Sequence, residues 1–234
     1  GGDIIYTSTD SGESWKIIMN RLEYSRFDWN IPYMKPRYNG GGNCVHWISD
    51  IKLSPFDSDT ALFNTGTGLF MITGLASGDV LVKPFCEGIE ETVHLNVYTT
   101  PHGRNRIIDI IGDLGGFAFE DYDSECENSF ANENGDRYIT CLNADLTLSD
   151  PEYIVATPRG NWTGKTKGGL ILSKDCGSTW KRLPMPRGLS EFIDQKLDNI
   201  EKPNVDSGWT AISADGKRIM WAVAGGRGFS YKSV

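Results

Sequence analysis

The sequence has 234 residues, with 23 Lys and Arg against 31 Asp and Glu, which gives a formal net charge of −8 at pH 7. This acidic balance argues against nucleic acid or another polyanion as a partner, because such partners need a concentrated basic face. No apolar run approaches the roughly 18 residues of a membrane helix, so the sequence predicts no membrane span. A neutral partner such as a polysaccharide fits this composition better.

Short apolar runs alternate along the chain with Gly, Pro, Asp and Asn, and the 27 glycines and the 11% of aromatic residues fit that pattern. Many short strands separated by turn residues are typical of all-β proteins, so the sequence predicts an all-β fold. Length alone would permit one domain or two.

The first predicted element is a hairpin closed by residues 8–15, STDSGESW, which follow the pattern S-x-D-x-G-x-[ST]-W. The pattern recurs in residues 173–180, SKDCGSTW, and both copies lie between apolar strand-like runs. We call them the first and second octapeptides. In such a turn Asp and Ser would bond backbone N–H groups, Gly would take a positive φ and Trp would anchor the loop on its strands. The pattern resembles the Asp box of sialidase-like β-propellers, and it predicts turn-capping roles for Asp10 and Asp175.

Three further stretches, residues 47–73, 142–173 and 209–233, share one plan of apolar strands separated by turns. Another meander lies between the first two, at residues 93–119. A radial stack of four-stranded sheets buries such repeated meanders and leaves only short edges. The sequence therefore predicts a β-propeller with four-stranded blades, of which this chain would hold about four.

A glycine run at residues 39–43, NGGGN, is the best candidate for a linker. We therefore predict that residues 1–40 are the last part of a first propeller and that residues 41–234 are the first blades of a second. The octapeptides start at residues 8 and 173, and Ser233-Val234 would begin a third. This spacing corresponds to about three repeat units and then one, of ~50–60 residues each. We expect the chain to be a fragment of a longer repeat protein.

The segment with the least repeat character contains the motifs G-I-E-E-T at residues 88–92 and G-D-L-G-G-F at residues 112–117. Together with residues 47–57 and 65–69, these motifs closely resemble, in the same order along the chain, the xyloglucanases of glycoside hydrolase family 74. The resemblance covers most of the 234 residues. It implies a tandem pair of seven-bladed propellers with a cleft between them, and cleavage of the β-1,4-glucan backbone of xyloglucan by an inverting mechanism.

The resemblance also implies a catalytic residue. The two catalytic aspartates of that family lie in D-[IL]-G-G motifs, and Asp113 matches the second of them, the general acid. The motif that carries the base has no counterpart here. An inverting enzyme needs two carboxyl groups roughly 6.5–9.5 Å apart, and Gly115 and Gly116 would let a sugar chain lie against the backbone. An ordinary Gly-Asp-x-Gly turn is the alternative interpretation.

Sugar faces stack on aromatic rings, so a substrate cleft needs Trp or Tyr side chains. The candidates in or beside loops are Trp29, Tyr33, Trp47 and Trp162. Burial in the core is the alternative for each, although the resemblance favours Trp47. We expect Trp209 and Trp221 to lie in the core of a blade. The adjacent Glu90 and Glu91 would point to opposite faces of a strand, so we expect them to have structural or substrate-contact roles.

The five cysteines lack C-x-x-C spacing and the three histidines are scattered. The sequence therefore predicts no zinc site, and we expect neither a metal nor a cofactor. Cys126 and Cys141 could form a bridge across a hairpin in a secreted protein, or remain free buried thiols. Residues 161–163, Asn-Trp-Thr, form a glycosylation sequon, which is typical of secreted proteins.

Taken together, these patterns predict a secreted, extracellular glycoside hydrolase that acts on xyloglucan or a related plant cell-wall β-glucan. We expect it to be a monomer with the rest of its own chain, and the isolated fragment to be inactive because the base is absent. The alternative is a non-catalytic carbohydrate- or protein-binding propeller, such as a sortilin-like receptor domain. A sialidase is disfavoured because the Arg residues are few and scattered.

Overall fold

A computed structural model describes residues 3–19, 27–28, 33, 47–90, 92–125, 128–160, 166–184, 205–225 and 229–230. Contacts divide the chain into two compact units, Gly1–Thr92 (unit 1) and Val93–Val234 (unit 2). The described residues form strands and turns without a helix, which confirms the all-β prediction. Accordingly, no helix in this part of the chain is long and apolar enough to cross a membrane.

Unit 1 holds a two-stranded sheet, sheet 1, and a four-stranded sheet, sheet 2, both antiparallel. Sheet 1 consists of β1 (Ile5–Thr7) and β2 (Lys16–Met19), and sheet 2 of β3 (Asp50–Leu53), β4 (Ala61–Thr65), β5 (Gly68–Thr73) and β6 (Leu81–Pro84). Every second residue of β4 and β5 is buried, as the two-residue period of a strand requires. Phe63 and Phe70 are fully buried and stack with ring centres 5.2 Å apart, which forms the core of sheet 2.

Unit 2 holds three further antiparallel meanders. Sheet 3 consists of β7 (Val93–Thr99), β8 (Ile107–Gly112), β9 (Gly115–Phe119) and β10 (Asn128–Ser129). Sheet 4 consists of β11 (Cys141–Leu146), β12 (Ile154–Pro158), β13 (Ile171–Ser173) and β14 (Lys181–Arg182), and sheet 5 of β15 (Val205–Ile212), β16 (Ile219–Gly225) and β17 (Phe229–Ser230). The three stretches with a shared plan correspond to sheets 2, 4 and 5, and the additional meander to sheet 3, so the predicted repeat of meanders is confirmed.

Sheet 4 is covered on both faces within unit 2. Ile154 and Ala156 of β12 share a core cluster with Ile108 of sheet 3, whereas Val155 shares another with Trp221 of sheet 5. All five residues of β12 are buried. A strand that packs on both faces has no solvent-facing side, which explains the apolar run at residues 154–156; the hydroxyl of the buried Thr157 donates to the carbonyl oxygen of Gly208 at 2.6 Å.

The two octapeptides close equivalent hairpins, the first between β1 and β2 and the second between β13 and β14. Asp10 Oδ1 accepts the N–H of Ser14 and Asp175 Oδ1 accepts that of Thr179, both at 2.9 Å. In each copy the first Ser accepts the glycine N–H at 2.8 Å. The glycine has a φ of 94° in the first copy and 81° in the second, a region that glycine enters without strain. The predicted turn-capping roles of Asp10 and Asp175 are confirmed.

Asn105, which lies just before β8, joins sheet 3 to the second octapeptide. Its side chain is fully buried, and Nδ2 donates to the carbonyl oxygen of Cys176 and to Ser178 Oγ, each at 2.9 Å. The same loop approaches the octapeptide so closely that a Cβ at Gly103 would lie 2.1 Å from Cys176 Sγ. Adjacent sheets of unit 2 are therefore joined by specific polar contacts as well as by their apolar core.

The described cysteines, Cys86, Cys141 and Cys176, are all buried free thiols. Burial raises the pKa of Cys141 to about 12, which keeps its thiol protonated and inert. The bridge between Cys126 and Cys141 is therefore not formed in this structure, and Cys126 itself lies outside the described residues.

The predicted boundary between two propellers, at residues 39–43, also lies outside the described residues. The division into compact units falls between Thr92 and Val93, in the connection between sheets 2 and 3. The assignment of residues 1–40 to one propeller and 41–234 to another stays a prediction.

Candidate functional site

Asp113 lies in the tight turn between β8 and β9 of sheet 3 and is exposed there. The strand register pairs Ile111 with Gly115, so the turn itself consists of Gly112, Asp113 and Leu114. Asp113 has a φ of 63°. This left-handed conformation is unfavourable for most L residues, although Asp tolerates it better because its short polar side chain can form local hydrogen bonds. The candidate acid therefore stands at a strained position.

Hydrogen bonds from two sheets hold this turn. The N–H of Leu114 donates to the carbonyl oxygen of Gly112 at 2.8 Å, within sheet 3. The N–H of Asp113 donates to Thr140 Oγ1 at 2.9 Å, and Gly115 forms a parallel bridge with Thr140. Thr140 directly precedes β11, the first strand of sheet 4. These contacts hold the main chain of Asp113 in place, and Asp113 itself is exposed.

The two glycines after the turn are buried, and each lies where a side chain would collide with neighbouring atoms of the protein. Gly115 has a φ of 83°, and a Cβ there would lie 2.8 Å from the carbonyl oxygen of Tyr138. A Cβ at Gly116 would lie 2.7 Å from the carbonyl oxygen of Asp109 and 2.7 Å from the ring of Phe130. The space that a side chain would take at these positions is filled by the protein's own atoms. A contact of Gly115 or Gly116 with substrate stays a prediction.

A buried aspartate, Asp109, pairs with an exposed histidine, His94, and joins β7 to β8 in the same sheet. Asp109 is only 6% exposed, and its Oδ2 lies 2.8 Å from Nδ1 of His94. Burial raises the pKa of Asp109 above its ordinary value, although the hydrogen bond with His94 opposes this effect. The sequence analysis missed this pair. The signal was available, since a lone Asp in the apolar run Ile-Ile-Asp-Ile-Ile requires a polar partner.

Two of the four predicted aromatic platforms lie among the described residues, both in unit 1. Trp47 is 71% exposed and has a φ of 57°, which is a strained value for a bulky residue. Its ring lies over Gly66, where a Cβ would come within 3.1 Å of Cε3. Tyr33 is 7% exposed and its hydroxyl lies 3.4 Å from Cys86 Sγ, so its ring is packed inside rather than presented to a ligand. Of these two side chains, Trp47 is the exposed one.

The other two predicted platforms, Trp29 and Trp162, lie outside the described residues. Of the two tryptophans expected in the core of a blade, Trp221 is buried, but Trp209 is 64% exposed on the opposite face of sheet 5. The expectation for Trp209 was wrong because neighbouring β-strand positions alternate between faces, and its face has no cover among the described residues.

Glu90 has a local structural role. Its Oε1 accepts the N–H of Gly88 at 2.9 Å, and this hydrogen bond lowers the pKa of Glu90 below its ordinary value. A carboxylate held ionised in its own loop suits a structural role. The expectation that Glu90 lies on a strand was wrong, because β7 begins only at Val93. Glu91 lies outside the described residues. Within the ranges described, no group of three or more His, Cys, Asp and Glu side chains is arranged to hold a metal ion.

Comparisons with known proteins cover almost the whole chain. No model of a protein family matches it. A Paenibacillus protein named "Xyloglucanase" is 24% identical in a match that covers 99% of this chain and 22% of that protein. The "Oligoxyloglucan-reducing end-specific xyloglucanase" of Emericella nidulans is 25% identical, over 95% of this chain and 30% of that protein. The chain therefore spans less than a third of these curated relatives.

Solved structures show the same similarity in fold. The GH74 xyloglucanase of Xanthomonas campestris aligns with a TM-score of 0.69 at 22% identity, over 99% of this chain and 29% of that chain. The Niastella koreensis GH74 enzyme aligns with a TM-score of 0.65 at 20% identity, over 99% of this chain and 28% of that chain. These alignments confirm the predicted β-propeller class, and the curated relatives named xyloglucanases support the resemblance stated from the sequence.

Proposed function

We propose that this chain is part of a glycoside hydrolase that cleaves the β-1,4-glucan backbone of xyloglucan with inversion, and that Asp113 is its general acid. The observation that carries the proposal is the position of Asp113. It is exposed, its main chain is held in a strained left-handed turn, and it lies in a chain similar to named xyloglucanases over almost all of its length. Strained backbone is concentrated at functional sites in proteins.

In the proposed reaction, the carboxyl group of Asp113 donates its proton to the glycosidic oxygen as the bond to the anomeric carbon breaks. A second carboxylate, roughly 6.5–9.5 Å away, takes a proton from a water molecule that attacks the opposite face of the sugar. This base would belong to a part of the complete protein outside these 234 residues. Trp47, with its exposed ring, would stack against a sugar of the bound chain.

The substrate, the location, the oligomeric state and the identity of the octapeptides belong to the same proposal. The substrate would be plant cell-wall xyloglucan or a related β-glucan, which is consistent with the acidic net charge of −8. The protein would be secreted and act as a monomer together with the rest of its own chain. The two octapeptides would be Asp boxes, since their loop geometry follows from the letters that define this pattern.

Replacement of Asp113 tests the proposal. In the complete protein, Asp113→Asn should lower kcat on xyloglucan by about 100- to 10,000-fold, because proton donation to the leaving oxygen is lost, while binding of xyloglucan is retained. Asp215→Asn is the matched control, since Asp215 is also an exposed hairpin Asp of unit 2, between β15 and β16. It should leave kcat unchanged. Turnover of Asp113→Asn within about twofold of the unmutated protein would refute the assignment.

The stereochemistry of the product is a separate test. Inverting hydrolysis of a β-linkage releases the α-anomer first, and ¹H NMR during the first minutes of reaction distinguishes it from the β-anomer. A β-anomer would contradict the inverting mechanism. A complete protein that binds xyloglucan without cleaving it would favour the alternative, a non-catalytic binding propeller.

A further inference from the structure

We propose that Thr140 is a positioning residue for Asp113: its hydroxyl holds the main chain of Asp113 in the left-handed conformation and so determines where the carboxyl group is presented. The inference rests on the proposed function, because it assigns Thr140 a part in proton delivery by Asp113. Thr140 is separated from Asp113 by 27 residues and belongs to the neighbouring sheet.

The first step of the argument is the strain at Asp113. Its φ of 63° is a conformation that a residue other than glycine keeps only when its surroundings hold it there. The 2.9 Å hydrogen bond from the N–H of Asp113 to Thr140 Oγ1 is a contact that does this. The bond is made by the main-chain N–H of Asp113, so it fixes the backbone from which the carboxyl group projects.

The second step is that Thr140 is itself fixed by sheet 4. Its carbonyl oxygen accepts the N–H of Arg159 at 2.6 Å, and the N–H of Ile139 donates to the carbonyl oxygen of Arg159 at 3.4 Å. Cys141, the next residue, is fully buried and begins β11. The main chain of Thr140 is therefore held by sheet 4 through contacts that do not involve Asp113.

The third step concerns the other end of the turn. Gly115 forms a bridge with Thr140, and it approaches the carbonyl oxygen of Tyr138 so closely that a Cβ there would lie 2.8 Å away. Residues 138–140 thus hold both the N–H of Asp113 and the backbone of Gly115. The turn cannot shift relative to sheet 4 without breaking these contacts. Since a misplacement of about 1 Å can cost about 100-fold in rate, the tether has a direct consequence for a proton donor.

The test uses Thr140→Val, which keeps the shape of the side chain and removes the hydroxyl, and Thr140→Ser, which keeps the hydroxyl. In the complete protein, kcat is measured on xyloglucan and on a nitrophenyl β-glycoside of a xyloglucan oligosaccharide. Nitrophenolate leaves without a proton, so its release needs little help from a general acid. Thr140→Val should lower kcat on xyloglucan by about 10- to 100-fold with KM unchanged, and lower kcat on the nitrophenyl substrate by less than about threefold. Thr140→Ser should restore kcat on xyloglucan to within about threefold.

A kcat of Thr140→Val on xyloglucan within about twofold of the unmutated protein would overturn the inference, and so would equal losses on both substrates, which indicate a general defect of structure. If Thr140→Val does not fold, as judged by circular dichroism, Thr140→Ala takes its place under the same criteria. Asp113→Asn separates the two proposals. If it is inactive on xyloglucan while Thr140→Val is active, only the positioning role fails; if it is fully active, the proposed function fails and the positioning role with it.

Discussion

The first and second octapeptides have the same hydrogen bonds in their loops but opposite environments for their tryptophans. Trp15 is 65% exposed, and its Nε1 donates to the carbonyl oxygen of Gly12 at 3.1 Å. Trp180 is 4% exposed, and its ring centre lies 4.5 Å from that of Phe130 in the core between sheets 3 and 4. Its buried Nε1 has no hydrogen-bond partner among the described residues. Eight residues are therefore enough to determine the loop, whereas neighbouring sheets decide what its Trp contributes.

The largest difference between the two copies should appear when the tryptophans are removed. Trp180→Ala empties a site in the core of unit 2 and should lower the free energy of unfolding by about 3–5 kcal/mol. Trp15→Ala removes a mostly exposed ring and should cost less than about 1 kcal/mol. Urea denaturation followed by circular dichroism measures both. Equal losses would show that the two loops depend on their tryptophans in the same way, against this comparison.

A smaller difference is expected at the glycines, which both have positive φ. A Cβ at Gly177 would lie 2.9 Å from Ile108 Cδ1, whereas a Cβ at Gly12 would meet Trp15 Cζ2 at 3.7 Å, an ordinary contact. Gly177→Ala should therefore cost about 2–3 kcal/mol, from backbone strain and overpacking together, and Gly12→Ala about 1 kcal/mol, from strain alone. Thermal unfolding of the two variants checks the order. A larger loss of stability for Gly12→Ala than for Gly177→Ala would show that the two octapeptides differ more in backbone strain than in packing.

The smallest expected effect is the dependence of stability on pH. Here the first octapeptide, through Asp10, should contribute more than the second, through Asp175. Hydrogen bonds from Ser14 and Ser8 lower the pKa of Asp10 from 3.8 to about 2. Burial raises the pKa of Asp175, but hydrogen bonds from Thr179 and Ser173 outweigh it, so that the net shift is downward. The folded state thus binds fewer protons than the unfolded state between about pH 4 and pH 2, and stability falls as the pH falls through that window.

Measurement of stability from pH 5 to pH 2 tests this prediction, with Asp10→Asn and Asp175→Asn as the matched variants. Both should lose less stability on acidification than the unmutated chain, because the replaced group no longer titrates. Asp10→Asn should flatten the profile more than Asp175→Asn. Burial opposes the downward pKa shift only slightly at Asp10, whereas it is the largest single cause at Asp175. Profiles as steep as that of the unmutated chain would exclude both carboxylates as the source of the acid sensitivity.

The structural features that depend on nearby residues could be predicted from the sequence. Both octapeptide loops and the four meanders were expected and are present. Each is stabilised by bonds between residues close together in the chain, so that turn residues and apolar periodicity carry enough information. The xyloglucanase resemblance was likewise readable, because its motifs are short and ordered.

Features that depend on a neighbouring sheet could not be predicted in this way. Gly115 and Gly116 are glycines because Tyr138 and Phe130 occupy the adjacent space, and the hydroxyl that holds Asp113 comes from Thr140 in another sheet. A single sequence contains these residues but not the contacts between them. The same limit explains the exposed Trp209, since alternation along a strand does not reveal which face is covered.

In a protein built from similar sheets, each sheet has to pack against the correct neighbour during folding, because similar repeats can be mispaired. The contacts of Asn105 offer a way to do so. Its amide binds the carbonyl oxygen of Cys176 and the side chain of Ser178, both at variable letters of the octapeptide, and the first copy has Glu13 in place of that serine. The repeated residues of the octapeptide thus determine the shape of the loop, while the residues at its variable positions determine which neighbouring sheet the loop binds.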